Sequence, residues 1–299
     1  MKAKHLTRRK FLQTVSATVM AAPFAFAAES SAGKFDPFET VKLGKTDLKL
    51  SRVCMGTGVK GGLRQSNHTR MGREKCEALM RAAYERGVRV FDLADLYGTH
   101  PFMMSALKKI PRQDFNIFTK IWFRPGGIPE TERPDADVVI ERFLKEINTD
   151  YLDLVLLHCV VSPKWPEELQ KQMEIMAKLK KKGVIRAHGV SCHSIDALEA
   201  AAREPWVDSV HARINPYGAK MDGPVENVVA AIRRISAAGK GVVGMKLIGE
   251  GDFRNSDEKR DASVKFALGL GCVNVLNVGF ETTAEIDDFA ARVRKVSRV

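Results

Sequence analysis

The sequence predicts an α/β protein folded as a (β/α)8 TIM barrel that is preceded by a short N-terminal β-hairpin. Two observations predict this fold: β-rich apolar segments alternate with amphipathic segments along the chain, and eight such strands fall within one domain-sized stretch. The runner-up is an open, doubly wound sheet. No strand leads into the Gly-x-Gly-x-x-Gly turn of dinucleotide-binding sheets, so a barrel over residues 39–299 is favoured.

The strands are identified by their β-branched and apolar composition. The hairpin consists of segments 41–43 and 48–50, which flank the turn sequence Gly-Lys-Thr-Asp at 44–47. The barrel strands are expected at 52–55, 88–92, 116–121, 152–158, 185–191, 209–214, 242–247 and 273–279.

Apolar residues three or four positions apart predict helices between the strands. A helix over 166–182 starts with Pro166 and stops at Gly183, and its apolar face consists of Leu169, Met173, Met176 and Leu179. Another helix follows Pro134. The last helix runs from Thr282 to about Arg294, with one apolar face formed by Ile286, Phe289 and Val293.

Residues 1–27 have the composition of a twin-arginine signal peptide. Arg8 and Arg9 precede a moderately apolar stretch over 14–26, and Ala25-Phe26-Ala27 is a small-residue cleavage site. The stretch is too short and too rich in Ala, Ser and Thr for a membrane anchor; the alternative is a basic amphipathic surface helix. We expect the twin-arginine export machinery as a partner, a periplasmic location without a stable membrane anchor after cleavage, and a flexible linker over 28–38.

The distribution of charge bears on whether the protein binds nucleic acid. The net charge is +12, and five of the positive charges lie in the first ten residues, which leaves +7 for the remainder. Lys and Arg are scattered among Asp and Glu, and the one basic run, 180–182, ends a predicted helix, where cations complement the helix dipole. We therefore expect no nucleic-acid partner.

The five cysteines form no Cys-x-x-Cys pair, and we expect buried thiols rather than disulfides.

Three of the predicted strands carry an ionisable residue at or near their carboxyl ends: Asp92, Lys120 and His158. A charge in a buried strand is costly unless it is paired or used, and in a barrel these strand ends are neighbours. Tyr97 follows Asp92 by five residues. The alternative is that each charge only caps a strand end and meets solvent. We favour one catalytic site that contains all four side chains.

The four groups suit proton transfer to a carbonyl oxygen. A phenol has an ordinary pKa of about 10, and a nearby ammonium favours the phenolate, so we expect Lys120 to lower the pKa of Tyr97. Asp92 is expected to pair with Lys120, and His158 to hydrogen-bond the substrate oxygen or relay a proton. Such a set protonates an alkoxide as it forms, and no metal is required. The competing interpretation is a metal site, but its candidate ligands fit no standard zinc spacing: His158, Cys159, His188, Cys192, His193 and His211.

The same segments resemble the aldo/keto reductase family. The matching segments are 91–98, 118–120, 151–158, 189–191 and 244–246, in family order, and the similarity spans about 41–293. The resemblance implies an enzyme that transfers a hydride between a nicotinamide cofactor, NADP or NAD, and a small carbonyl or alcohol substrate. It implies Tyr97 as general acid, Lys120 and Asp92 as the groups that tune it, and His158 as the group that orients the carbonyl oxygen.

The resemblance also implies where the cofactor binds. Ser191, Cys192 and His211 occupy the positions expected to hold the nicotinamide carboxamide. The pyrophosphate is expected at two turns that include Leu247, Gly249, Gly251, Gly279 and Thr282. Many NADP-dependent members have Lys and Arg where this chain has Gly279 and Glu285, so NAD is also expected.

The alternative function is a non-catalytic or vestigial nucleotide-binding barrel that acts as a sensor or interaction protein. It is considered because an exported compartment maintains no pool of soluble reduced nicotinamide. The presence of all four proton-handling residues favours an enzyme.

Overall fold

The computed structural model describes residues 33–298, and the signal sequence predicted over 1–27 lies outside the described residues. An antiparallel hairpin, β1 (Thr40–Lys42) and β2 (Lys49–Ser51), precedes the barrel. Eight parallel strands follow: β3 (Val53–Gly56), β4 (Val90–Asp92), β5 (Asn116–Ile121), β6 (Leu152–Val160), β7 (Ile185–Cys192), β8 (Ser209–Arg213), β9 (Gly241–Met245) and β10 (Val275–Val278). They close into a barrel because β10 pairs with both β9 and β3. The predicted fold class is confirmed.

Helices cover the outside of the barrel. In the described residues they are α1 (Asn67–Arg70), α2 (Arg73–Glu85), α3 (His100–Ala106), α4 (Ala136–Ile147), α5 (Trp165–Glu168), α6 (Gln170–Lys181), α7 (Ile195–Arg203), α8 (Val225–Ala237), α9 (Asp257–Gly269) and α10 (Thr283–Lys295). The apolar face predicted for the last helix is buried, since Ile286, Phe289 and Val293 of α10 all belong to the core. Within residues 33–298 no helix is long and apolar enough to cross a membrane.

The helix predicted over 166–182 is divided into α5 and α6. The division falls at Leu169, whose backbone (φ −114°, ψ 16°) leaves the helical region. Tertiary packing accounts for the short first helix: Trp165 is buried, and its indole Nε1 donates to the Ala197 carbonyl of α7 at 3.2 Å. The predicted stop is confirmed, since Gly183 has a φ of +76° directly after α6.

The N-terminal hairpin closes the floor of the barrel. Leu43, Leu48 and Leu50 are buried among inward-facing strand residues that include Phe118 and Leu154. A second apolar layer lies between the strands and the helices. Because the floor is filled, the open end of the barrel is formed by the carboxyl ends of the strands, where the predicted site lies.

Residues 33–38 depart from the predicted flexible linker. The Phe35 amide donates to the Val296 carbonyl at 3.0 Å, and Lys34 forms an antiparallel bridge with Ser297. Phe35 and Phe38 pack against the core. Two aromatic side chains therefore hold this segment on the barrel. The linker was predicted from the small and polar residues that precede Phe35, and these gave no sign of the contact.

All five cysteines are free and buried, as expected. Cys54, Cys76, Cys192 and Cys272 contribute to the apolar layers, and burial raises the pKa of thiols such as Cys54 and Cys76.

Candidate active site

The ionisable ends of β4 and β5 form a buried ion pair. The Lys120 ammonium donates to both Asp92 carboxylate oxygens, at 2.7 and 2.6 Å, and to the Leu93 carbonyl at 2.9 Å. Asp92 is 3% exposed and Lys120 is 1% exposed, so water does not screen the pair. The predicted pairing of these two side chains is present.

Asp92 has two further side-chain partners. His211 Nε2 lies 3.2 Å from Oδ1, and the Asn277 amide donates to Oδ2 at 2.8 Å. Burial raises the pKa of the Asp92 carboxyl, but Lys120 and His211 outweigh burial and hold that pKa well below its usual range. Asp92, on β4, is therefore ionised, and it contacts side chains from β5, β8 and β10.

Tyr97 lies on a 3₁₀ turn, Asp95–Tyr97, that follows β4. The turn ends at Gly98, which has a φ of +71° and passes so close to the Arg64 carbonyl that a Cβ would lie 1.9 Å from its oxygen. The Tyr97 hydroxyl is 3.4 Å from His158 Nε2, and the Lys120 ammonium is 5.1 Å from the centroid of the phenol ring. All four predicted catalytic side chains are thus close together.

The protonation state of Tyr97 differs from the expectation. Burial raises the pKa of the phenol well above its usual value, and the Asp92 carboxylate raises it further. Lys120 does not lower it as expected, because its charge is matched by Asp92 at hydrogen-bonding distance. Burial also lowers the pKa of His158 well below its usual value. The two facing groups are therefore a neutral phenol and a neutral imidazole.

A network of ion pairs anchors the turn that carries Tyr97. The buried Asp95 carboxylate accepts from Arg64 Nε at 2.9 Å and from Arg142 Nη2 of α4 at 2.7 Å. His100 follows the turn, and its ring nitrogens bond Thr119 at 2.7 Å and Glu146 at 2.8 Å. In the sequence, the indication of this network is Asp95, an acidic residue within the otherwise apolar segment 93–97.

The site opens into a cavity at the carboxyl ends of the strands. Seven of the predicted site residues line it: Asp92, Tyr97, His158, Ser191, Leu247, Gly251 and Gly279. Five do not: Lys120, Cys192, His211, Gly249 and Thr282. Lys120 and His211 lie behind Asp92.

The structure does not bring Cys192 or Thr282 to the cavity. Successive strand residues face opposite sides, so Ser191 faces the cavity while Cys192 is buried in the apolar layer outside the barrel. Thr282 is the N-cap of α10, and its hydroxyl accepts from the Glu285 amide at 3.2 Å. His193, which was not predicted, lines the cavity instead.

The far end of the cavity is lined by paired charges that the sequence analysis missed. Arg254 Nη2 lies 3.0 Å from Glu281, and its Nε lies 3.6 Å from Glu285. Arg260 Nη1 lies 2.9 Å from Asp288 of α10. No local pattern marks these contacts, because Glu281, Glu285 and Asp288 are more than 25 positions from the arginines with which they pair here.

Several observations suit a dinucleotide in this cavity. Asn277 Oδ1 is buried without a hydrogen-bond partner, although Asn277 lines the cavity. Gly58 lies against the Tyr97 ring, where a Cβ would approach within 2.3 Å, and Gly251 faces open space. Within residues 33–298 no group of three or more His, Cys, Asp or Glu is placed to hold a metal ion. The cavity therefore combines apolar side chains such as Val59 and Phe289 with polar groups that can orient a ligand, as cofactor sites do.

Comparison with known proteins agrees with this geometry. The aldo/keto reductase family model matches residues 52–295. The chain is 25% identical over 193 residues to the NADH-specific methylglyoxal reductase of Escherichia coli (strain K12), covering 58% of each protein. It is 26% identical over 261 residues to the aldo-keto reductase YhdN of Bacillus subtilis, covering 80% of this chain and 75% of that protein.

The fold is also shared with solved structures. A putative aldo-keto reductase from Pseudomonas aeruginosa superposes with a TM-score of 0.70 at 21% identity, over 89% of this chain and 98% of that one. The chain spans a little over half the length of the first curated relatives, 58% and 52%. Since the family model covers most of the chain, we conclude that this protein belongs to the aldo/keto reductase family.

Proposed function

We propose that the protein is a nicotinamide-dependent oxidoreductase that reduces the carbonyl group of small aldehydes or ketones. One observation carries the proposal: the Tyr97 hydroxyl lies 3.4 Å from His158 Nε2, above the buried Asp92–Lys120 pair, in one large cavity. A buried acid next to a neutral hydrogen-bonding imidazole is suited to a carbonyl oxygen that gains charge.

The reduced nicotinamide ring supplies the hydride when the cofactor is bound. Tyr97 donates its proton to the developing alkoxide, and the raised pKa of the phenol keeps that proton available at neutral pH. His158 orients the carbonyl oxygen. Lys120, 5.1 Å from the ring centroid and paired with Asp92, offsets only part of the charge on the phenolate that is left behind.

Residues of this chain can hold the nicotinamide and the central pyrophosphate of the cofactor. The Ser191 hydroxyl and the unpartnered Asn277 Oδ1 supply polar groups for the carboxamide. The pyrophosphate would lie against the backbone of Leu247 and Gly251 and against the turn at Gly279. Asn277 thus replaces Cys192 in the set inferred from the resemblance.

We propose NAD rather than NADP as the preferred cofactor. Arg254 and Arg260 line the far end of the cavity, but both already pair with carboxylates, and Glu285 and Asp288 line the same end. A 2′-phosphate would meet carboxylates and no unpaired cation there. The Escherichia coli relative is named as NADH-specific, which supports the same preference.

We propose small, electrophilic aldehydes as substrates. Relatives from Escherichia coli and Salmonella typhimurium are named as methylglyoxal reductases. Trp122 contacts the edge of the His158 ring, with centroids 5.4 Å apart, and it would form an apolar wall beside the carbonyl. No observation specifically favours the non-catalytic alternative.

We further propose export before function, on the basis of Arg8-Arg9 and the apolar stretch that follows. The test is cell fractionation of the full chain and of the variant Arg8→Lys, Arg9→Lys. We expect the first in the periplasmic fraction and the second in the cytoplasmic fraction; equal distributions would contradict the proposal.

The enzymatic proposal is tested with Tyr97→Phe. We expect NADH binding to persist, because the ring is retained, and carbonyl-dependent NADH oxidation to fall by about 10²–10⁴-fold, because the proton donor is lost. The matched control is Tyr84→Phe, since Tyr84 lies on α2 outside the cavity. A wild-type protein that binds neither NADH nor NADPH would rule out the oxidoreductase.

A further inference from the structure

The Tyr97 ring rests on a glycine-rich segment, 58–64, that lies between β3 and α1. A Cβ on Gly58 would lie 2.3 Å from the ring Cζ, the carbon that bears the hydroxyl, and a Cβ on Gly61 would lie 2.7 Å from Cδ1. Neither glycine has a left-handed φ, so it is mainly the ring that leaves no room for a side chain at these positions. At Gly62, by contrast, a Cβ would have nothing within 4 Å.

Arg64 holds the 58–64 segment to the turn on both sides of Tyr97. Its Nε donates at 2.9 Å to the buried carboxylate of Asp95, two residues before Tyr97. Its carbonyl oxygen lies against Gly98, the residue after Tyr97, where a Cβ would be 1.9 Å away. Arg64 itself does not line the cavity, so it can influence the reacting groups only through Tyr97 and its neighbours.

The second arm of the Arg64 guanidinium reaches the segment that follows β5. Nη1 donates to Glu130 at 2.5 Å, and the neighbouring Leu63 amide donates to the Gly127 carbonyl at 2.7 Å. Gly127 lies against the Trp122 indole, since a Cβ there would be 2.5 Å from the indole ring. A planar guanidinium can bond two carboxylates in fixed directions at once, so Arg64 links the supports of two side chains at the site.

The backbone of the 58–64 segment is held in a costly conformation. Lys60, Leu63 and Arg64 have φ values of +48°, +53° and +55°, in the left-handed region that non-glycine residues rarely adopt. Such residues persist only where the surrounding contacts over-determine them. Loss of the Arg64 contacts should therefore let the segment relax away from the Tyr97 ring.

Asp95 does not depend on Arg64 for its counter-ion. Arg142, on α4, donates to both Asp95 oxygens, at 3.1 and 2.7 Å. Replacing Arg64 therefore leaves no unpaired buried carboxylate, which is the usual cause of a large loss of stability. The contribution of Arg64 lies in where it holds the segment.

We propose that Arg64, Gly58 and Gly61 are positioning residues that set the place of the Tyr97 hydroxyl relative to His158. The inference rests on the proposed reductase function, because it assigns these residues to the geometry of its proton donor. The hydroxyl is 3.4 Å from His158 Nε2, which is already long for a hydrogen bond, so a small displacement of the ring breaks the contact. A misplacement of about 1 Å can cost about 10²-fold in rate.

The first test compares two alanine substitutions at adjacent glycines, assayed by NADH oxidation with methylglyoxal as the probe. We expect Gly61→Ala to lower kcat by about 10–10²-fold with little change in KM or in NADH binding, because the added methyl group displaces the proton donor and not the ligands. Gly62→Ala adds the same group in open space and should leave kcat and KM unchanged. Equal kcat values in the two variants would overturn the role of Gly61.

The second test replaces Arg64 and adds a measurement that needs no turnover. Near-ultraviolet difference absorbance between each protein and its Tyr97→Phe counterpart reports the Tyr97 phenolate. At about pH 10, where an ordinary phenol is half ionised, wild-type Tyr97 should contribute none, because burial raises the pKa of the phenol. In Arg64→Gln the relaxed segment admits water, so a phenolate should appear at that pH and kcat should fall by about 10–10²-fold.

Two further variants show whether the effect belongs to the bonds that Arg64 makes. Arg64→Lys keeps a cation that can reach Asp95 but cannot bond Glu130 as well, and its kcat should lie between those of wild type and Arg64→Gln. The matched control is Arg234→Gln, which breaks the pair with Glu199 between α8 and α7 and should alter neither kcat nor the Tyr97 titration.

Failure of this inference is distinguishable from failure of the proposed function. A wild-type protein that neither binds NADH nor reduces a carbonyl contradicts the reductase and, with it, the positioning role. An active wild-type protein whose Arg64→Gln variant keeps the same kcat and the same Tyr97 titration contradicts the positioning role of Arg64 alone.

Discussion

Lys120 and Asp92 form the most enclosed ion pair at the site, with the ammonium 2.6 Å from Oδ2 and side-chain exposures of 1% and 4%. Each member is costly to bury alone, and together they tie β4 to β5 beneath Tyr97. Burial raises the pKa of the Tyr97 phenol, and the pair leaves that shift in place, because an ammonium whose charge is neutralised by Asp92 cannot strongly favour a phenolate.

We expect Asp92→Asn to destabilise the fold by about 3–5 kcal/mol, because it leaves the Lys120 charge buried without a counter-ion. The measurement is urea unfolding at neutral pH. The control is Glu141→Gln, which breaks the exposed pair with Lys145 on α4 and should leave unfolding unchanged. The double variant Asp92→Leu, Lys120→Met should recover stability but no carbonyl reduction; a stable and fully active Asp92→Asn protein would contradict the assigned role.

We expect Asp222 to make stability depend on pH below neutrality. Burial raises the pKa of its carboxyl to about 6, neither oxygen has a hydrogen-bond partner, and Arg213 Nη1 is 3.3 Å from Oδ1. The folded state therefore binds this proton more tightly than the unfolded state. Its contribution is present below the unfolded pKa and is lost as the pH rises through about 6.

Asp222→Asn tests this dependence. The variant should exceed the wild-type unfolding free energy at pH 7 by up to about 3 kcal/mol, and the difference should shrink toward about pH 4. Asp150→Asn, an exposed substitution, is the control. A wild-type protein that gains stability relative to Asp222→Asn as the pH rises would show that the sign is wrong.

We expect Glu285→Gln to improve NADPH binding by about tenfold relative to NADH, because one carboxylate is removed from the end of the cavity that the 2′-phosphate would occupy. Fluorescence titration of both cofactors measures the ratio. Glu258→Gln, in the first turn of α9 and exposed, should not alter it. A wild-type protein that already prefers NADPH would contradict the proposed cofactor selectivity.

We expect Leu48→Ala to destabilise the protein by about 2–5 kcal/mol, because Leu48 is buried in the floor of the barrel and its loss leaves a cavity. Thermal and urea unfolding measure the cost. Leu63→Ala is the control, since Leu63 is 62% exposed. Equal stabilities of the two variants would mean that the hairpin is not part of the core.

The sequence by itself determined the barrel, the hairpin and the proton-handling group. Strand composition and helical periodicity are local properties, and Asp92, Lys120 and His158 stand out because a charge inside an apolar strand is locally anomalous. The same local information placed Tyr97, in the turn directly after β4.

Only the tertiary structure decided the further partners of Asp92. Asn277 joins Asp92 across 185 positions and His211 joins it across 119, and no local pattern encodes such distances. The side on which a strand residue faces also depends on register, which is why Ser191 reaches the cavity and Cys192 does not. The raised pKa of Tyr97 likewise arises from burial and from the Asp92 charge, which act on the phenol only once the barrel has closed.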